Sequence, residues 1–156
     1  MGVLSRNHIF FCDELKEKTQ VIKFLADQAV VLGVSDHARD LVAGFMEREA
    51  MGPTGIGEGI AVPHAKSASV REVSVLIIRS KEPILWESFD GQPVYLAIAL
   101  LVPVENPDNI HLKILSAVTR KLVKEEFKKD LFAAETADQM MELFKELNIE
   151  GGQNNE

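Results

Sequence analysis

Apolar residues recur along this chain at two spacings, and each spacing predicts one kind of element. Steps of three and four residues predict a helix from an N-cap at Thr19 to Gly33 and a second helix from a cap at Ser35 to Glu49. Continuous apolar runs predict strands covered on both faces. The predicted strands are Val73 to Ile78 and Val94 to Val102, with shorter ones at Asn7 to Cys12 and Ile60 to Pro63.

Helical spacing returns in the last third of the chain. The predicted helices begin at Ile110, cover Glu125 to Phe132, and run from a Thr136–Gln139 capping box through Leu147. Helices on either side of a group of strands predict an α/β or α+β fold, a single domain over residues 1–150 with helices packed against one sheet. Residues 151–156 are expected to form a disordered tail.

Composition places the chain among ordinary globular proteins. Its 156 residues are 46% hydrophobic and 26% charged, and the longest apolar run, Tyr95 to Pro103, is too short to span a bilayer. The N-terminus lacks the pattern of a signal peptide and Cys12 is the only cysteine, so a cytoplasmic location is expected. A net charge of −7 leaves no basic stripe for nucleic acid, and neither nucleic-acid binding nor membrane insertion is expected.

The stretch GPTGIGEGIAVPHA, Gly52 to Ala65, carries the strongest indication of chemistry. Its alternating glycines allow tight turns and run into a short strand that ends in Pro63 and His64. Loop N–H groups and a histidine fixed at a strand end are suited to holding a phosphoryl group or another small anion. A P-loop is excluded because the GK[ST] ending is missing, and a dinucleotide fingerprint is excluded because the glycines precede the strand.

The four histidines differ in what surrounds them. His8, near the terminus, and His37, in the first turn of a predicted helix, are expected on the surface. His64 follows the glycine stretch. His111 lies in the first turn of the helix that begins at Ile110, where the positive end of the helix dipole disfavours the imidazolium form.

Arg48 lies at the end of the second predicted helix, directly before the glycine stretch. If these groups meet, His64 is the candidate nucleophile, His111 the neighbour that orients it or donates to a phosphoryl oxygen, and Arg48 a forked donor to the transferred group. Together with free loop amides, they meet the requirements of phosphoryl transfer. Zinc is the competing chemistry, but neither a His-Glu-x-x-His spacing nor a cysteine pair is present. A serine hydrolase would need a G-x-S-x-G elbow, which the sequence lacks.

Three segments carry a more specific pattern. They are Arg48-Glu49 with Gly52 to Ala65, then Asp90 to Val94, then Asn109 to Ser116. Together they closely resemble the fructose/mannitol-type enzyme IIA of the bacterial phosphoenolpyruvate-dependent sugar phosphotransferase system, and the TGIGxGIAxPH signature is specific. The resemblance covers nearly the whole chain.

This resemblance implies a single-domain phosphocarrier with a mixed sheet flanked by helices. The phosphorylated histidine of the family falls on His64, its second active-site histidine on His111 and its arginine on Arg48. The phosphoryl group would arrive from the histidine phosphocarrier protein and leave for a cysteine of an enzyme IIB domain. No cofactor or metal is expected. Apolar residues around the loop, such as Ile56, Ile60 and Trp86, are candidates for a docking rim. For Trp86 and Phe89, the favoured interpretation is that they are loop aromatics folded over the sheet.

Nitrogen-type relatives share the same phosphorylation site and act chiefly by docking to other proteins. The chain is therefore expected to be either a sugar carrier, for fructose or a related sugar, or a regulatory binding module. The long polar helix and the GIGEG form favour the sugar branch.

Overall fold

The computed structural model describes residues 3–105 and 109–145. Its elements confirm an α/β architecture with one sheet and five helices in the described part of the chain. The strands are β1 Ile9–Phe11, β2 Gly55–Gly57, β3 Ile60–Ala61, β4 His64–Ser67, β5 Ser74–Ile84 and β6 Val94–Pro103. The helices are α1 Lys18–Val31, α2 Ala38–Ala50, α3 Ile110–Leu122, α4 Glu125–Ala133 and α5 Ala137–Leu143. The predicted tail, the predicted end of the last helix at Leu147 and residues 106–108 lie outside the described residues.

The sheet is mixed, with the order β1-β5-β6-β3-β2, and β4 also pairs with β6. The two long strands, β5 and β6, pair antiparallel in the centre, whereas β1, β3 and β4 each join them in parallel. Both central strands are buried along most of their length, as their continuous apolar runs predict.

Alternate residues of the central strands divide the core between the two faces of the sheet. Leu76, Ile78, Ala97 and Ala99 pack with α1 and α2, whereas Val75, Ile77, Leu96, Ile98 and Leu100 pack with α3, α4 and α5. The two-residue period of a strand produces this division. No helix among the described residues is long and apolar enough to cross a membrane.

Two predicted helix starts are wrong by a few residues. Helix α1 has Glu17, not Thr19, as its N-cap, because Glu17 and Gln20 form a reciprocal capping box. Helix α2 begins after His37, and the hydroxyl of Ser35 is instead buried in a hydrogen bond with Ser69. The Thr136 capping box is confirmed.

Candidate functional site

His64 is the first residue of β4, not the last residue of the preceding strand as predicted. Strand β3 ends at Ala61, and Pro63 interrupts the ladder because it has no N–H to donate. The register nevertheless continues, since Ala61 pairs with Ala97 and His64 pairs with Leu100 on β6. The histidine therefore lies within an extended edge segment and near the carboxyl end of β6.

The constant register also fixes the face to which His64 belongs. Ile60 and Val62 belong to the core beneath α3 and its neighbours, and His64 follows them at the same two-residue period. His111 is the second residue of α3, on the helix that covers this face. The fold thereby brings together two histidines that are 47 positions apart in the sequence.

Arg48 approaches the same place from α2, which packs against β4. It lies in the last turn of α2, as predicted, and its Nη1 donates to the carbonyl of Gly52 at 2.9 Å. That bond uses one of the five N–H donors of the guanidinium. The charge of Arg48 acts on the ring of His64, so the three predicted site residues form one cluster.

The pKa of His64 is lowered from its ordinary value of 6.5, chiefly by burial and then by the charges of Arg48 and His111. The backbone of Val62 opposes this by favouring the protonated ring. Nδ1 is buried, and it makes no hydrogen bond of ordinary geometry with any described residue. We therefore take the Val62 carbonyl to act on the ring as a nearby dipole. A neutral imidazole at neutral pH follows, which is the nucleophilic form.

The pKa of His111 is also lowered, as predicted, but the causes are burial and then the charge of Lys66. Sequence analysis missed Lys66. The indication was present, because residues two apart on a strand share a face and Lys66 follows His64 by two. This two-residue rule could be applied to Lys66 only once His64 was known to begin a strand.

Several N–H groups of the glycine stretch are occupied by hydrogen bonds within the protein. The N–H of Gly52 donates to the carbonyl of Glu49, that of Glu58 to Asp90 Oδ2, and that of Val62 to the carbonyl of Thr54. Four residues lie between Gly59 and His64, and these five residue-to-residue steps span about 16 Å at the rise of a strand. The tip of the glycine hairpin therefore lies away from the histidine.

The glycine hairpin instead has a structural role. Gly57, Glu58 and Gly59 all have positive φ, which forms the tight turn between β2 and β3. Lys128 of α4 ties this turn down through an ion pair with Glu58 at 2.7 Å. The hairpin is thus a structural feature that positions the segment leading to His64.

A buried carboxylate joins this hairpin to α2. Glu49 is 8% exposed and accepts hydrogen bonds from both the backbone N–H and the hydroxyl of Thr54, which is 4% exposed. The carbonyl of Thr54 in turn accepts from the N–H of Val62. This chain of contacts fixes the backbone that enters the site next to Arg48.

The other two histidines lie elsewhere. His37 is exposed, as expected, but His8 is buried, so its predicted surface position is wrong. Nδ1 of His8 donates to the carbonyl of Val75 at 2.9 Å, which makes His8 a structural link between the N-terminal segment and β5. Among the described residues, no cluster of three histidine, cysteine or carboxylate side chains could hold a metal ion.

An open mixed sheet with a neutral histidine at its edge, beside the guanidinium of Arg48 and the imidazole of His111, is an α/β architecture suited to binding an anion at the histidine. Residues 2–147 match the family described as phosphoenolpyruvate-dependent sugar phosphotransferase system, EIIA 2. The chain belongs to this family, whose members are phosphotransferase components that carry phosphohistidine.

Individual relatives agree with the family. The fructose-specific EIIABC component of Bacillus subtilis is 35% identical over 92% of this chain, and the chain spans only 22% of its length. The nitrogen regulatory protein of Klebsiella oxytoca is 36% identical over 93% of this chain and 85% of its own length. The crystal structure of nitrogen regulatory protein IIA-Ntr from Neisseria meningitidis has a TM-score of 0.83 and 28% identity, covering 90% of this chain and 95% of that one.

Proposed function

We propose that this chain is a cytoplasmic phosphocarrier that accepts a phosphoryl group on His64 and passes it on during sugar uptake. The donor is the histidine phosphocarrier protein, and the acceptor is a cysteine of an enzyme IIB domain. The observation that carries the proposal is a partly buried, neutral imidazole at His64 that has the guanidinium of Arg48 and the ring of His111 as its neighbours. Fructose or a related sugar is the destination, in keeping with the fructose-specific relative.

The buried position of Nδ1 leaves Nε2 as the nitrogen that reacts. With a proton on Nδ1, the lone pair of Nε2 attacks the phosphorus of the donor's phosphoimidazolium. The P–N bond to the donor breaks and its electron pair returns to the donor ring, while a P–N bond to His64 forms. No net proton moves, because His64 becomes a phosphoimidazolium as the donor becomes neutral.

The carbonyl of Val62 stabilises the product of this step, because it favours a positively charged ring. Arg48 and His111 donate to the phosphoryl oxygens, for which a planar guanidinium is well shaped. Onward transfer reverses the chemistry: a cysteine thiolate attacks phosphorus, and the electron pair of the P–N bond returns to Nε2. A carrier needs such moderate stabilisation so that it can both accept and release its cargo.

The test is intact-mass analysis after mixing the protein with phosphoenolpyruvate, enzyme I and the histidine phosphocarrier protein, followed by brief acidification. We expect one acid-labile phosphoryl adduct on the wild type and none on His64→Gln, whose fold is checked by circular dichroism. An adduct that persists in His64→Gln would contradict the assignment. The absence of an adduct on the wild type, with a donor active on another enzyme IIA, would refute the carrier role.

A second candidate is a nitrogen-type regulator that acts by phosphorylation-dependent docking. The Klebsiella relative and the Neisseria structure favour it, because both are nitrogen regulatory proteins that match 93% and 90% of this chain. The two candidates share the phosphorylation step and differ in the next one. Rapid transfer from phosphorylated protein to a purified fructose-type IIB domain supports the sugar carrier, whereas a phosphoryl group that stays on His64 supports the regulator.

A further inference from the structure

Lys66 lies two residues after His64 on β4, in unbroken parallel register with β6. His64 pairs with Leu100 and Lys66 pairs with Val102, and both of these partners belong to the core beneath α3. Two residues of a strand span about 6.6 Å, and their side chains project from the same face. The side chain of Lys66 therefore projects from the same face of the strand as the imidazole of His64, the face that α3 covers.

The surroundings of Lys66 leave its charge available. The residue is exposed, and within residues 3–105 and 109–145 no carboxylate forms an ion pair with its Nζ. Its charge reaches the site, because it lowers the pKa of His111. Arg48 lowers the pKa of His64 in the same way, so each of the two histidines has a cationic neighbour.

A phosphoryl group on Nε2 carries three oxygens, and the proposed site assigns donors to only some of them. Arg48 approaches from α2 and His111 from α3, so both come from elements that flank β4. Lys66 is the cation on the same strand as the nucleophile. Its flexible four-carbon stem and three rotatable donors let it follow a group that arrives and leaves.

We propose that Lys66 is a third phosphoryl-binding residue, which donates to an oxygen of the phosphoryl group on His64 and stabilises the phosphorylated state. This inference rests on the proposed phosphorylation of His64. Lysine suits a carrier because an exposed, strongly hydrated ammonium stabilises the phosphoryl group less than a buried guanidinium fork does. The site can therefore hold the phosphoryl group and still release it to an acceptor.

The equilibrium constant for phosphoryl exchange with the histidine phosphocarrier protein distinguishes this role from docking. That constant depends only on the free proteins, so a residue that merely helps the partners to associate changes rates and leaves the constant unaltered. The amounts of phosphorylated and free forms of both proteins are measured by intact mass at equilibrium. We expect Lys66→Gln to lower the constant about tenfold, the effect of one charge-assisted hydrogen bond.

Two further variants serve as controls. Lys66→Arg keeps the charge and is expected to stay within about threefold of the wild type, less than the loss of one charge-assisted hydrogen bond. Lys113→Gln removes a lysine from α3. Lys113 follows His111 by two positions, so the two side chains point about 200° apart around the helix axis, and we expect no change in the equilibrium constant.

An unchanged constant in Lys66→Gln, with or without a slower rate, would overturn the proposal and leave Lys66 as a docking residue or a bystander. Equal losses in Lys66→Gln and Lys113→Gln would also overturn it, because they would report a general charge effect. The proposed function fails separately, since a wild type that accepts no phosphoryl group yields no equilibrium to measure.

Discussion

At the scale of single residues, the reactivity of His64 depends on the charge state of one ring. A protonated imidazole has no lone pair with which to attack phosphorus, so the site must keep the ring neutral. Burial lowers its pKa most, and the charge of Arg48 lowers it further. Arg48 therefore has two effects in the proposed mechanism, because the charge that binds the phosphoryl group also prepares the nucleophile.

Replacing Arg48 by Gln tests this second effect. Loss of the positive charge makes protonation of His64 easier, so its pKa should rise towards 6.5 from the lowered value of the wild type. Phosphoryl acceptance should then begin to fall at a higher pH in the variant than in the wild type. The pKa is measured by NMR titration of the ring, with Arg48→Lys as the variant that keeps the charge and Arg39→Gln as a control elsewhere on α2. A pKa that stays constant or falls in Arg48→Gln would contradict the electrostatic argument.

At the scale of elements, the sequence patterns located the helices and the central strands but not the glycine hairpin. Helical spacing and continuous apolar runs are local properties, so α1 to α5 and β5 and β6 could be predicted. Strand β2 could not, because Gly55 to Gly57 has no strand propensity and pairs only where β3 is held beside it. The two shifted N-caps also involve distant contacts, since Glu17, beside its local capping box, forms a bridge to Leu85 and Ser35 forms one to Val70.

Gly55 shows how closely the hairpin packs. A Cβ at this position would lie 2.4 Å from the carbonyl oxygen of Glu87 and 2.9 Å from Cα of Ser88, so no side-chain rotation relieves the contact. The N–H of Phe89 also donates to the carbonyl of Gly55 at 3.3 Å. The segment that follows Trp86 is thus held against β2 by backbone contacts that only glycine permits.

Gly55→Ala is expected to lower the free energy of unfolding by about 1–3 kcal/mol, because the backbone near Glu87 must move. The measurement is urea denaturation, together with hydrogen exchange of the Phe89 amide, which should become faster.

Gly91→Ala is the matched control in the same loop. Gly91 has a φ of 71°, and a Cβ there would meet no atom within 4 Å. Strain of about 1–2 kcal/mol is therefore expected in Gly91→Ala, without faster exchange at Phe89. An unaltered stability and exchange rate in Gly55→Ala would disprove the close-packing argument.

At the scale of the whole molecule, the site depends on pairings that local patterns do not encode. Arg48, His64 and His111 could be predicted from the family pattern, but their convergence requires the parallel pairing of β4 with β6 and the packing of α2 against β4. Strand order depends on contacts between distant segments, which no spacing rule reports. Lys66 was missed for the same reason, since its position follows from the observed start of β4.

The surface around the site also differs from the predicted docking rim. Ile60 is 1% exposed, so it cannot contact a partner and that part of the prediction is wrong. Trp86 is 7% exposed and belongs to the core, as its interpretation as an aromatic folded over the sheet predicts. Ile56 is 39% exposed, as the prediction requires. Two exposed apolar residues adjoin the site residues in sequence: Met51, 75% exposed, follows Arg48 by three, and Leu112, 52% exposed, follows His111 directly. Ile56, Met51 and Leu112 are therefore the better candidates for docking.

A donor protein must cover His64 to deliver its phosphoryl group, and a standard interface buries about 800 Å² on each partner, a patch of roughly 16 Å radius. Met51 follows Arg48 by three residues and Ile56 lies in the glycine hairpin that precedes His64, so both are candidates for this patch. Met51→Asp and Ile56→Asp place a charge in this apolar surface and are expected to lower kcat/KM for acceptance from the histidine phosphocarrier protein about tenfold. The exchange equilibrium should be unaffected, because docking residues do not contact the phosphoryl group in the free protein. Val31→Asp, at a 75% exposed apolar position at the end of α1, supplies the control and should transfer at the wild-type rate. If all three variants accept at the wild-type rate, the donor docks elsewhere, and if Val31→Asp is equally slow, the effect is one of net charge and not of this surface.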